Sequence, residues 1–140
     1  MAQSVCVILH WNTDSAEIPR KELPRVIEKS YRPMVQALED FEGTVCFNIT
    51  GHTIDYLLKQ DPDLIESIKE LVKKNVVEIL LTGYSHPILP LLPKKRIEAQ
   101  LKSHMDRIQE LFGAKPQGAW PLELAVSPLF LKELLSFGIR

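Results

Sequence analysis

Val76-Val77-Glu78-Ile79-Leu80-Leu81-Thr82-Gly83-Tyr84-Ser85-His86-Pro87 decides the fold. Its first half is a short, β-branched apolar run, the composition of a strand buried on both faces; its second half is a loop of polar and turn-forming residues. The same unit occurs at 4–9, where Ser4-Val5-Cys6-Val7-Ile8-Leu9 enters His10-Trp11-Asn12-Thr13-Asp14. It occurs again at 44–50, where Thr44-Val45-Cys46-Phe47-Asn48-Ile49-Thr50 gives way to Gly51-His52. Gly118 to Pro121 reads as a short fourth strand, followed by Glu123.

Helical patterns separate these runs. Residues 22–41 set Leu23, Val26, Ile27, Met34, Val35 and Leu38 at helical spacing, with Pro33 expected to kink or restart the helix. A helical stretch surrounds Ile54 to Leu58. Asp61-Pro62 reads as an N-cap with proline at the first helical position, ahead of an apolar stripe of Leu64, Ile65, Ile68, Leu71 and Val72. A helix over 94–112 closes at Gly113, and one over 129–137 opens at Ser127-Pro128 and closes at Gly138. Strand and helix alternate four times, which implies an α/β protein with a parallel sheet wrapped by helices.

Gly51, Gly83 and Gly118 are isolated, so no phosphate-binding glycine fingerprint follows any strand and a nucleotide fold is disfavoured. The expected fold is an incomplete parallel β/α barrel. A closed barrel takes about 250 residues, and the 140 residues here supply about half of one. Gly138-Ile139-Arg140 has the pattern of a helix cap entering a fifth strand. Residues 1–140 are therefore expected to be the N-terminal portion of a larger catalytic domain, or to need a partner, with self-association favoured by the unclosed sheet.

Composition narrows the function classes. Hydrophobic residues make up 45% and charged residues 25%, as in an ordinary globular domain. Seventeen basic against eighteen acidic side chains leave a net charge of −1 with no basic block, so neither nucleic acid nor a membrane surface is an expected partner. The run at 4–9 lacks a preceding basic segment and a cleavage site, so it is not expected to be a signal peptide. Cys6 and Cys46 belong to no metal or redox spacing and read as buried, reduced thiols of a cytoplasmic protein.

In parallel α/β folds, reactive groups gather at the carboxyl ends of the strands. Those ends carry His10, Trp11, Asn12 and Asp14; Asn48 and His52; Tyr84, Ser85 and His86; and Trp120 and Glu123. His104 falls within a helix and is expected on its solvent face. Each strand-end residue also has a structural reading: His10 as a core histidine, the tryptophans as plugs of the mouth, His52 as a helix cap, residues 83–87 as a rigid turn. Glu123 stands apart, a lone carboxylate between Pro121-Leu122 and Leu124-Ala125-Val126, where an unpaired charge would cost several kcal/mol.

Three segments resemble glycoside hydrolase family 57, the α-glucan-active enzymes. Val7-Ile8-Leu9-His10-Trp11-Asn12 is similar to the family's first motif, residues 83–93 (Gly-Tyr-Ser-His-Pro-Ile-Leu-Pro-Leu-Leu-Pro) to its second, and Gly118-Ala119-Trp120-Pro121-Leu122-Glu123 with the following Leu124 to Pro128 to its third. Ser30 to Met34 and Phe47 to Thr50 also fit. The resemblance implies the first four β/α units of a seven-stranded barrel of the glycoside hydrolase/deacetylase type, and retaining cleavage or transfer at α-glucosidic bonds. It implies Glu123 as catalytic nucleophile, with His10, Trp11, Asn12, His86 and Trp120 around an α-glucan or oligosaccharide, and no cofactor or metal.

Two departures accompany it. The family's His-Gln-Pro is replaced by Asn12-Thr13-Asp14, so its expected substrate-binding histidine is Asn12 here. The acid/base aspartate belongs to a fourth motif beyond residue 140, so the isolated chain is expected to be inactive or nearly so. Two other classes stand beside this reading. One is a metal-dependent polysaccharide deacetylase using Asp14, His52 and His86; the other is a non-catalytic sugar-binding or assembly module.

Overall fold

The computed structural model describes residues 6–14 and 18–139. The elements in order are β1 (Ile8–Trp11), α1 (Leu23–Val26), a π-helical turn (Ile27–Tyr31), α2 (Arg32–Leu38), β2 (Val45–Ile49), α3 (Gly51–Gln60), α4 (Pro62–Lys73), β3 (Val77–Ile79), α5 (Lys94–Phe112) and α6 (Pro128–Ser136). The expected restart at Pro33 takes the form of that π turn. Proline lacks the N–H that the helix would use, and the widened turn before it absorbs the mismatch. Asp61 and Ser127 cap α4 and α6 by accepting from the Leu64 and Phe130 amides, and Gly113 ends α5 in the left-handed region at φ 63°.

The sheet is parallel in the order β1-β2-β3, so strand order follows chain order without reversal. Ile8 pairs with Cys46 and His10 with Asn48; Cys46 in turn pairs with Glu78. Side chains alternate across a strand, and this register sorts them into two faces. Leu9, Trp11, Val45, Phe47, Ile49, Val77 and Ile79 face the helices and form the main core with Val35, Leu57, Ile65 and Ile68. Ile8, His10, Cys46, Asn48 and Glu78 share the opposite face. A second core joins Leu81, Leu89, Leu101 and Met105 to Phe130 and Leu134 of α6.

The expected fourth strand is reduced to one parallel bridge, Leu81 to Ala119. Pro121 has no amide to continue a ladder, and the Glu78 carboxylate takes the amides of Gln117 and Gly118 at 3.3 and 3.2 Å. Four residues of this composition therefore dock beside β3 without forming a strand. Ser4-Val5 of the first expected strand and Arg140 of the expected fifth lie outside the described residues. No described helix is long and apolar enough to cross a membrane.

Candidate active site

Parallel register brings the ends of β1, β2 and β3 to one edge, and the bridge at Ala119 delivers residues 120–124 beside them. His10 and His86 lie with ring centroids 5.4 Å apart and planes tilted by 56°. Partial burial and the neighbouring His86 lower the pKa of His10, while the negative Glu123 carboxylate opposes them, so Glu123 lies close enough to act on His10. The two imidazoles and the carboxylate thus belong to one mouth.

Backbone conformation singles out the same residues. His86 has φ 57°, and the consecutive Glu123 and Leu124 both have φ 54°. Left-handed backbone at non-glycine residues is uncommon, less so for Asn, Asp and His, costs about 1–3 kcal/mol each and clusters at functional sites. Asn75, the other such described residue, is of the type that tolerates this conformation. The Glu123 pair forms a tight turn: the Leu124 amide donates to the Pro121 carbonyl and the Ala125 amide to that of Leu122, each at 3.0 Å. This turn lifts Glu123 out of its apolar segment into solvent, which removes the desolvation cost that the sequence context suggests.

The network around these residues is specific. Asn48, wholly buried on β2, donates from Nδ2 to His10 Nδ1 at 2.7 Å. Its Oδ1 has no partner among the described residues. Reversing the amide would instead strand a buried NH2, the rarer and costlier defect. An acceptor at Nδ1 fixes the neutral His10 ring with its proton on Nε2.

The loop carrying His86 is pinned from beneath. His104 Nδ1 lies 3.1 Å from both the amide and the carbonyl of Thr82. Gln100 Oε1 accepts from the Ser85 amide at 2.9 Å. The Tyr84 hydroxyl donates to Asp55, which also pairs with Arg107 at 2.8 Å. Gly51 is required here, since a Cβ at that position would stand 2.2 Å from the Tyr84 ring.

Several sequence expectations are corrected. Trp11 is 1% exposed, stacked on Tyr31 at 4.1 Å, with its indole N–H directed at Met34 Sδ; it lies in the core and offers no ring face at the mouth. His104 is fully buried on the inner side of α5 rather than at its surface. Cys6 is exposed and Cys46 half-exposed, so the thiols are not both buried. His52 does not cap α3; Thr50 does, accepting from the Thr53 amide. His52 instead meets the Asp14 carboxylate at 2.6 Å.

Asn12 and Trp120 are half-buried at the mouth. Asn12 Oδ1 accepts from the Asp14 amide at 3.0 Å, closing a local turn, and the Trp120 amide is held by the Leu81 carbonyl at 3.0 Å. Among the described residues, no three His, Cys, Asp or Glu side chains converge as metal ligands. Asp14 and His52 pair with each other while His86 faces His10, so the deacetylase-like set is divided. His104, Gln100, Asp55 and Arg107 are the participants that strand-end reasoning did not single out, whereas Asn48 and Tyr84 stand at strand ends and take supporting positions.

The model of glycosyl hydrolase family 57 matches residues 10–140. An α-amylase of Pyrococcus horikoshii is 30% identical over 119 residues, covering 84% of this chain and 19% of its own length. The crystal structure of 4-α-glucanotransferase from Thermococcus litoralis superposes with a TM-score of 0.87 at 26% identity, covering 96% of this chain and 21% of that one. A family 4 carbohydrate esterase from Streptomyces lividans shares the fold at TM-score 0.69 and 13% identity, over 97% of this chain and 59% of its own. The chain thus spans about a fifth of the length of the amylase and glucanotransferase relatives.

Proposed function

The chain belongs to glycosyl hydrolase family 57, and on that premise we propose that it forms the first four β/α units of a seven-stranded barrel acting on α-glucans with retention. Glu123 is the nucleophile. It attacks the anomeric carbon as the glucosidic oxygen departs, giving a covalent glucosyl ester that water or an acceptor sugar then releases. His10 donates from Nε2 to a sugar hydroxyl, His86 supplies the facing imidazole, Asn12 a polar contact and Trp120 an apolar surface to the ring. The acid/base carboxylate, about 5–5.5 Å from the nucleophile in retaining enzymes, comes from chain beyond these units.

The observation that carries this reading is the convergence of three separate loops on one mouth, with His86 and Glu123 both in left-handed backbone. The amylase and glucanotransferase names of the relatives supply the substrate class.

Fluoride leaves without protonation, so the nucleophile can be tested apart from its acid. Incubation with a 5-fluoro-α-maltosyl fluoride should add one glycosyl group to the chain, mapped to Glu123 by peptide mass and absent in Glu123→Gln. No adduct, or an adduct on another carboxylate, would overturn the assignment.

A further inference from the structure

We propose that Cys6 and Cys46 are a redox-modification site, closing an intramolecular disulfide that fastens the edge strand β1 to β2. Their Sγ atoms lie 3.7 Å apart. Ile8 pairs with Cys46, so Cys6, two residues before Ile8, projects from the same sheet face. The Cys46 amide donates to the Val7 carbonyl at 2.9 Å and holds the two chains in place. Cys6 precedes the first ladder residue and is exposed, so its end of the pair can yield the roughly 1.7 Å by which the sulfurs must approach to reach covalent distance.

The oxidant is a low-molecular-weight disulfide such as oxidised glutathione. The Cys6 thiolate attacks one of its sulfurs, forming a mixed disulfide and releasing one glutathione thiolate. Cys46, after losing its proton, attacks Cys6 Sγ and releases the second. Two protein thiols lose two electrons and two protons, and one glutathione disulfide becomes two glutathiones. Burial, aided by Cys6 and Glu78, pushes the Cys46 thiol up to about 11, which makes ring closure the slower step and one that accelerates as pH rises.

Among the described residues β1 pairs only with β2, and it carries His10, whose Nδ1 partner Asn48 lies on β2. A bond across 40 residues of sequence should hold that pair together and raise the melting temperature by roughly 10 °C or more.

The folded wild-type chain is incubated with oxidised glutathione at mildly alkaline pH, then examined by intact mass, thiol titration after denaturation, non-reducing electrophoresis and thermal melting. The expected product is a monomer lighter by two hydrogen atoms, without free thiols, and melting higher until dithiothreitol is added. A Cys46→Ser chain should stop at a glutathione adduct on Cys6. Two persistent thiols, a stable adduct on wild-type Cys6, an interchain dimer, or a disulfide that leaves the melting temperature unchanged would each overturn the proposal. If the serine variant fails to fold, the wild-type mass and thiol count decide alone.

Discussion

Replacing His104 by asparagine should flatten the acid limb of the stability curve. The imidazole is fully buried, and burial pushes its pKa down to about 4 from 6.5 against the opposing contact with the Thr82 backbone. The unfolded chain takes up this proton near pH 6.5 and the folded chain only near 4, so between those values the unfolded state binds more protons and stability falls as pH falls. The contribution is fully present above pH 6.5 and is lost as pH drops through about 4. A gap of about 2.5 units at 1.36 kcal/mol each amounts to roughly 3 kcal/mol, with a slope near pH 5 of about 1.2 kcal/mol per pH unit. That is a substantial share of a typical 5–15 kcal/mol domain stability. Asparagine can still accept from the Thr82 amide but does not titrate. Urea unfolding at intervals from pH 7 to 4.5 should show His104→Asn less stable at pH 7 by about 1–3 kcal/mol yet with a slope shallower by about 1 kcal/mol per pH unit. Carboxylates common to both proteins cancel in the difference. Equal slopes would refute the reasoning.

Asn48→Asp should reverse the His10 tautomer. A carboxylate accepts at the position where Nδ2 now donates, 2.7 Å from Nδ1, so the ring proton moves to Nδ1 and the lowered His10 pKa rises; long-range nitrogen–proton correlation spectra report both, and an unchanged tautomer would count against the network. Glu123→Asn removes the proposed nucleophile and puts a residue tolerant of left-handed backbone at φ 54°. The variant should gain about 1 kcal/mol of stability and melt several degrees higher, whereas a lower melting point would mean that the Glu123 carboxylate supports the fold.

Local signals were legible where the physics is local. Asp61, Ser127 and Gly113 act within one turn of chain, and each sits where its residue type predicts. The fourth strand depended on whether residues 118–121 had amides and length enough to sustain a ladder, and Pro121 with the Glu78 carboxylate decides against it. Two misplaced side chains carried a readable signal. Ile97, Leu101, His104 and Ile108 follow the 4-3-4 spacing of one helix face, which puts His104 inward. The period of two along β1 separates Trp11 from His10 and sends the indole to the core with Leu9.

Backbone sign at Glu123 has no such signature, because glutamate does not favour positive φ, and the modest enrichment of histidine there is too weak to place His86. Such conformations persist only where the surroundings over-determine them. For His86 the surroundings are the buried contact of His104 on Thr82 and the half-buried contacts of Gln100 on Ser85 and of Asp55 with Arg107 on Tyr84, whose ring in turn requires Gly51 to lack a side chain. Histidine and glutamate at strand ends indicate what chemistry the mouth can do. Polar groups on α3 and α5, which need not touch a ligand, hold the His86 loop in place to do it. A substitution among those supports should therefore reach the site through the conformation of His86 while leaving every mouth residue chemically intact.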